Sequence, residues 1–248
     1  MKSFKVNLSD RPAASVVRVD PAVGLAIALR EVGLSAQPRR VLVVVGGASK
    51  LTKAGHQGVR QLFLEVLAPL AQKWQACVVD GGTDTGVMQL MGQARTAING
   101  TFPLVGVAPI DLATLPNQTP ASEDSAPLEP NHTHFLLIPG SQWGDDSPWI
   151  AQVATELANN AASVTVLING GEITWQDALQ NVQQGRSVIV VSGTGRTADL
   201  MAAALRGEAT DHRADPLIAS GLLKSVALSE GCEKLASMIN TIFLKKLM

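Results

Sequence analysis

The sequence predicts an α/β protein: a single domain with a Rossmann-like, doubly wound and mostly parallel sheet, covered by helices on both faces. Short apolar runs rich in valine alternate with segments of helical pattern, as is typical of repeated β–α units. The runs are apolar throughout, as expected of strands that are buried on both faces. Closely spaced glycines follow several of the runs, at the points where a strand is expected to turn into a helix.

The first 40 residues are predicted to form a hairpin and a helix that pack on the main domain, which spans residues 41–248. The hairpin strands are expected at residues 4–8 and 15–19. Asp20-Pro21 is a typical helix start, because an Asx cap is followed by proline in the first turn, and Gly33 is a typical helix end. No linker divides the chain further.

The main domain is predicted to continue the β–α alternation. Strands are expected at residues 41–45, 76–79, 104–107, 135–138, 164–168 and 187–191. Helices are expected at residues 52–74, 87–98, 147–160, 174–185 and 198–206, and Pro69 should kink or break the first of them. Asp215-Pro216 and Ser229 are predicted caps of two closing helices.

Residues 111–130 contain four prolines and no hydrophobic periodicity. Long runs of this kind inside a compact domain are often lids or binding loops, and a merely flexible excursion is the alternative.

Composition excludes several classes of protein. The net charge is −1 and no block of basic residues is present, so nucleic-acid binding is not expected. No apolar run is long enough to span a bilayer, and none resembles a leader segment, so membrane insertion is not expected. Because the chain contains only 2 cysteines, no disulfide framework is expected, and a reducing cytoplasm is the predicted location.

Four of the predicted strand ends carry paired or closely spaced glycines. Since parallel strands end at the same edge of a sheet, these turns are expected to lie together. Glycine lets a backbone approach a ligand closely, phosphate is the usual ligand, and the guanidinium of Arg196 suits phosphate oxygens. Ordinary tight βα turns are the alternative. The predicted ligand-binding residues of the four turns are Gly46, Gly47, Ala48 and Lys50; Gly81, Gly82, Thr83, Asp84, Thr85 and Gly86; Gly170, Gly171 and Glu172; and Ser192, Gly193, Thr194, Gly195, Arg196 and Thr197.

Two common nucleotide-binding motifs are absent. The first strand of the main domain is followed by Gly46-Gly47-Ala48, where the dinucleotide fingerprint has Gly-x-Gly-x-x-Gly. The phosphate loop that ends in Gly-Lys-Ser/Thr occurs nowhere in the chain. Standard dehydrogenases and nucleoside triphosphatases are therefore disfavoured.

Three segments together resemble one family. They are VVDGGTDTGVM, LEPNHTHFLLIPG with the WGDD that follows it, and SVIVVSGTGRTADL. They are similar to the SLOG superfamily, and within it to the LSDAT branch, which includes the cytosolic N-terminal domain of TRPM-type channels. The resemblance covers roughly residues 41–207. It implies a Rossmann-like domain that binds nucleotide derivatives, with ADP-ribose and its cyclic relatives as the best candidates and no required cofactor.

The wider superfamily also includes the cytokinin-activating phosphoribohydrolases, once called lysine decarboxylases. Their motif resembles Pro-Gly-Gly-x-Gly-Thr-x-x-Glu, and its catalytic glutamate falls here on Leu200, which has no acid or base chemistry. Gly193, Gly195, Arg196 and Asp199 instead resemble the channel-type motif, which favours binding without turnover. A nucleotide N-glycosidase that uses Asp199 or Glu172 is the first alternative. The second is an oligomeric assembly module with a vestigial pocket. Any signal from the chain is expected to leave through a homo-oligomer or an unidentified effector partner.

Several polar residues have two interpretations each. His132 and His134, two positions apart, have the spacing of metal ligands, but no completing cysteine or acid is evident. We therefore expect no metal site, and we expect these histidines and Asn131 to form hydrogen bonds in the pocket. Asp84 and Glu172 either bind ribose hydroxyls or cap helices. Asp145-Asp146 are either paired carboxylates or acids at a helix N-terminus.

Overall fold

The computed structural model describes residues 2–9, 12–34, 37–48, 51–209 and 211–244. Within these residues, nine strands form the main sheet. Together with a short pair, β6 and β7, they are in chain order β1 (Ser3–Val6), β2 (Ala14–Arg18), β3 (Val41–Gly46), β4 (Cys77–Asp80), β5 (Leu104–Pro109), β6 (Ala113–Thr114), β7 (Ala126–Pro127), β8 (His134–Ile138), β9 (Ser163–Ile168), β10 (Ser187–Ser192) and β11 (Leu223–Ala227).

The order of the strands in the main sheet is β1-β2-β8-β5-β4-β3-β9-β10-β11. Within the described residues, β1 and β2 pair antiparallel, and all the other pairings in this sheet are parallel. The run from β5 to β11 has the strand order of the doubly wound dinucleotide-binding fold, with the direction of winding reversed between β3 and β9. The predicted fold class is confirmed.

Helices cover both faces of the sheet. They are α1 (Leu25–Glu31), α2 (Lys53–Leu62), α3 (Ala68–Trp74), α4 (Gly86–Ala97), α5 (Ser147–Ala158), α6 (Glu172–Gln183), α7 (Arg196–Leu205), α8 (Asp215–Ala219) and α9 (Gly231–Phe243). Alternate residues of β3 belong to two different cores: Val43 belongs to the core that contains residues of α1 and α5–α8, and Val44 belongs to the core that contains residues of α2, α3, α4 and α9. The continuous apolar strands are thus buried on both sides.

The long helix predicted at residues 52–74 is interrupted. A π-helical segment, Phe63–Leu67, separates α2 from α3, and Pro69 lies in the first turn of α3. Proline has no N–H to donate to the preceding turn, so the backbone changes its hydrogen-bond spacing before Pro69. The interruption therefore comes earlier in the chain than the proline itself.

The first 40 residues contribute to the main sheet directly. β2 pairs in parallel with β8, and β1 forms the outer edge. Residues 111–130 contain the short β6–β7 pair, and the backbone oxygen of Asp124 accepts a hydrogen bond of 3.1 Å from Nε1 of Trp143. This run therefore lies beside the segment that leads into α5.

Among the described residues, no helix combines the length and apolar character needed to cross a lipid bilayer.

Candidate functional site

A cleft of about 460 Å³ lies beyond the carboxyl ends of β3, β4 and β9. β4 pairs with β3 only as far as Val79, opposite Val43, whereas β3 continues to Gly46 beside Ile168 of β9. The short β4 therefore leaves a gap above its end, and Val44 and Val45 line it. This place is the point where the winding of the sheet reverses, and in such sheets ligands bind there.

The structure brings several of the predicted residues together in this cleft. They are Gly46, Gly47, Gly81, Thr83, Thr85, Gly171, Glu172 and Arg196. A second cavity of about 400 Å³ adjoins it, shares Gly46, Gly47 and Thr85, and adds Ala48, Gly86 and His56. Lys50 lies outside the described residues.

Two positive features border the cleft. The first is the N-terminus of α4, where the capping residue Thr85 has extended backbone and its side chain accepts no hydrogen bond from the helix. The first amides of a helix without a side-chain cap favour an anion. The second is the guanidinium of Arg196, which lies over Gly171: a Cβ atom on that glycine would be 2.8 Å from Nη2 of the arginine. The two features make the cleft suitable for phosphate.

Glu172, at the start of α6, also lines the cleft, but its carboxylate has a protein partner. Its Oε2 accepts a hydrogen bond of 2.6 Å from Nη1 of Arg213, and its side chain is 82% exposed. Arg213 also bonds Asp211, so the pair joins α6 to the turn before α8.

The turn after β10 has a different role from the one that the sequence predicts for its amides. The carboxylate of Asp199 accepts hydrogen bonds from the amides of Gly193 (2.5 Å) and Gly195 (3.1 Å). Thr194 and Asn169 join this turn to the end of β9 through two further hydrogen bonds. The anion held by these amides is therefore the protein's own, and Ser192, Gly193, Thr194, Gly195 and Thr197 do not line the cleft.

Replacing Asp199 with alanine is expected to lower the free energy of unfolding by about 1–2 kcal/mol, as for the loss of a helix cap. Asp199→Asn keeps one acceptor oxygen and should cost less. Urea unfolding of the two variants checks this prediction. An Asp199→Ala variant as stable as the unmodified protein would contradict the capping role.

His132 is buried beneath the cleft instead of lining it. Its Nε2 lies 2.8 Å from Oδ1 of Asp80 and its Nδ1 lies 2.7 Å from Oε2 of Glu129, and all three side chains are at most 1% exposed. Burial alone lowers the pKa of His132, but the two carboxylates outweigh it and raise the pKa to about 9. Since Oδ1 of Asp80 also accepts from the amide of Gly82, this network holds the turn after β4.

The other predicted residues around β8 and α4 also bond to protein groups. Asn131 donates to Glu129, and Nδ1 of His134 lies 2.7 Å from the hydroxyl of Thr133 at the start of β8, the end of the strand that faces away from the cleft. Asp84 accepts from Gln89. The structure does not bring these residues to the cleft, nor Gly82 and Gly170.

Two acidic residues in the cleft, Asp146 and Asp177, have raised pKa values, which the sequence does not indicate. Asp146 accepts a hydrogen bond of 3.0 Å from the amide of Gly144, and Asp177 on α6 accepts one of 2.5 Å from the hydroxyl of Ser147. Burial raises the pKa of Asp146 to about 6. Burial, with the nearby charge of Asp146 added, raises the pKa of Asp177 to about 7.

The sequence allows two interpretations of Asp146, as one of a pair of carboxylates or as an acid at a helix N-terminus. Asp177 is not among the residues predicted from the sequence. The neighbouring Asp145 caps the turn before α5, because Oδ2 accepts from the amides of Ser141 and Gln142. A signal for Asp177 was present: with Thr174 and Asn181 it forms a polar row at helical spacing on the buried face of α6. Trp143, Met88 and Ile150, also missed, add apolar walls to the cleft.

Comparison with solved structures supports the fold. The X-ray structure of TM1055, a structural-genomics target, matches with a TM-score of 0.55 and 23% sequence identity, over 82% of this chain and 99% of that one.

Two curated relatives are named as cation channels or channel-like proteins. Transient receptor potential cation channel subfamily M member 2 of Mus musculus is 24% identical over 200 residues, and the subfamily M member-like 2 protein of Nematostella vectensis is 26% identical over 202 residues. Each match covers 66% of this chain and 13% of the channel, so the chain spans only a small part of these relatives.

The family model described as SLOG in TRPM, prokaryote, matches residues 39–237. This match includes all the strands from β3 to β11 and the whole cleft. It confirms the resemblance noted in the three sequence segments. The chain belongs to the prokaryotic LSDAT family, the SLOG domain related to that of TRPM channels.

Proposed function

We propose that this chain binds a nucleotide-derived anion, of the ADP-ribose type or a cyclic relative, and acts as a cytoplasmic sensor of it. The observation that carries the proposal is the cleft at the reversal point of the sheet, bordered by the uncapped N-terminus of α4 and by Arg196. Membership of a family related to part of a channel supports a sensory role over a metabolic one.

The lining of the cleft suits the parts of such a ligand. Phosphate oxygens accept hydrogen bonds from the first amides of α4 and from the guanidinium of Arg196. Met88, Ile150 and the indole of Trp143 offer apolar surface to a base. The adjoining cavity around His56 gives room for a second group beyond the phosphates.

Ligand binding is expected to raise the melting temperature, because a ligand that binds only the native state stabilises it by about 2.7 kcal/mol at a hundred times its dissociation constant. A thermal-shift panel of AMP, ADP, NAD, ADP-ribose and cyclic ADP-ribose checks this.

Arg196→Ala should weaken binding about 10- to 100-fold, the value of a hydrogen bond to a charged group.

Arg206→Ala is the matched control. Arg206 lies at the other end of α7 and bonds Glu208 at the surface, so its removal should leave the ligand-induced shift unchanged. If no nucleotide shifts the melting temperature, the proposed function is wrong. If Arg196→Ala retains the full shift, only the assigned phosphate contact is wrong.

The N-glycosidase alternative has less support from the geometry. Asp199 is occupied by the amides of its own turn, Glu172 bonds Arg213, and Leu200 is 42% exposed. Incubation with AMP, NAD and ADP-ribose, followed by chromatography for free base, decides between binding and hydrolysis.

For the assembly alternative, size-exclusion chromatography with and without these nucleotides shows whether a homo-oligomer forms and whether a ligand changes it.

A further inference from the structure

We infer that the cleft selects ligands that carry vicinal hydroxyl groups, as ribose does and deoxyribose does not, and that Asp146 and Asp177 accept the hydrogen bonds of these hydroxyls. The inference rests on the proposed nucleotide function and adds the sugar specificity of the same site. Asp146 and Asp177 have no part in the proposed phosphate contacts, and the inference gives both of them a role.

The two carboxyl groups face the same cavity from different elements. Asp146 immediately precedes α5, and its Oδ2 lies toward Gly81, where a Cβ atom on the glycine would be 3.7 Å away. Asp177 lies on α6, is only 8% exposed, and lines the same cleft. Ser147, bonded to Asp177, directly follows Asp146 in the chain, so the two carboxyl groups are held on one wall.

Each aspartate has one oxygen engaged and one directed elsewhere. Oδ1 of Asp146 accepts from Gly144, and Oδ1 of Asp177 accepts from Ser147. In the described part of the chain, no other side chain bonds Oδ2 of either aspartate, and neither carboxylate forms an ion pair. Neither Oδ2 atom is among the buried polar atoms that lack a partner, and both residues line the cleft, so the hydroxyl groups of a ligand can reach these oxygens and donate to them.

The chemistry of the pair favours hydroxyl groups over a cationic group. With pKa values of about 6 and about 7, both carboxyl groups titrate close to neutral pH, so a protonated and an ionised carboxyl can be present side by side. A protonated carboxyl is a donor and an ionised one is only an acceptor. A hydroxyl can both donate and accept, whereas an ammonium group can only donate, so hydroxyls satisfy the mixed pair better.

The position of the pair also fits a sugar phosphate. Arg196 and the N-terminus of α4 place positive potential in the same cleft of about 460 Å³ that contains the two aspartates. One ligand therefore meets donors for an anion and acceptors for hydroxyls. Ribose phosphate carries both kinds of group on adjacent parts of one molecule.

The test is calorimetric titration of AMP, ADP-ribose and their 2′-deoxy counterparts into the full chain, in buffer that contains EDTA. The unmodified protein is expected to bind the ribose forms at least about tenfold more tightly, the value of one hydrogen bond to a charged group. Asp146→Leu and Asp177→Leu should each reduce this preference to about threefold or less. The control Asp145→Asn should leave it unchanged, because Asp145 bonds the turn before α5 and does not line the cleft.

Asp177→Asn and Asp146→Asn provide a second pair of variants if the leucine variants do not fold. An amide keeps an acceptor for Ser147 or Gly144 but loses the charge, so the preference for ribose should fall without loss of the fold.

Equal affinity for ribose and deoxyribose forms in the unmodified protein overturns the inference. So does a preference that survives both substitutions, or one that appears only when Mg²⁺ replaces EDTA, since a cation would then lie between ligand and carboxylates. If none of the four compounds binds, the proposed function itself fails, and the inference fails with it.

Discussion

Replacing His132 with leucine is expected to lower the free energy of unfolding by about 3–5 kcal/mol, the usual result of removing one partner from a buried ionic network. The imidazole bonds Asp80 and Glu129, which are both almost completely buried. Without it, the two carboxylates would lie in the protein interior with no cation between them. The turn that Asp80 holds through the amide of Gly82 would also lose its support, so ligand affinity should fall as well.

The same network predicts a pH dependence. The pKa of His132 rises from 6.5 to about 9 on folding, so its contribution to stability is complete below pH 6.5 and is lost as the pH rises through about 9. Urea unfolding between pH 6 and pH 10 should show this loss in the unmodified protein and not in His132→Leu.

His134→Leu is the matched control for the His132 substitution. His134 is only partly buried, and its pKa is lowered, by burial first, to about 4, so it is neutral in this range and holds no buried carboxylate. Its replacement should have a much smaller effect. Equal losses in the two variants, or a loss below about 1 kcal/mol for His132→Leu, would contradict the role assigned to the network.

Gly82→Ala is expected to lower the stability of the protein strongly and Gly81→Ala hardly at all, although the two glycines are neighbours. Gly82 has φ +70°, and a Cβ atom there would lie 2.6 Å from Cα of Gly106 on β5. Backbone strain together with overpacking should lower the free energy of unfolding by about 2–5 kcal/mol. Gly81 has no neighbour closer than 3.7 Å at that position, so alanine there should change stability by less than about 1 kcal/mol.

The methyl group of Gly81→Ala lies in the cleft, beside Asp146 and Met88. We therefore expect this variant to melt at the temperature of the unmodified protein and to show a smaller thermal shift with ADP-ribose. Thermal unfolding with and without ADP-ribose measures both quantities. A Gly82→Ala variant of normal stability would show that the contact with Gly106 is not tight, and an unchanged ligand shift in Gly81→Ala would place the ligand away from this turn.

Much of the architecture followed from the sequence because the signals were local. Continuous valine-rich runs at residues 41–45, 164–168 and 187–191 correspond to β3, β9 and β10, which are buried on both faces. Glycines after those runs lie at one edge of the sheet, since parallel strands share the direction in which they end. Three separated segments were enough to identify the family.

The roles of individual polar residues could not be predicted from the sequence. Asp199 satisfies the amides of the turn after β10, and His132 bonds two carboxylates from other segments of the chain. Both contacts depend on which groups meet after folding. Asp177 becomes a cleft residue only because α6 packs beside α5 and Ser147.

By itself, therefore, the sequence determined the class of fold, the edge of the sheet at which the glycine turns and the cleft lie, and the family, because hydrophobic periodicity, glycine turns and short motifs are properties of neighbouring residues. Only the tertiary structure decided which glycines face the cleft and which face another strand, and which acids are held without a counter-charge. Those properties depend on distances and burial between residues that are far apart in the chain.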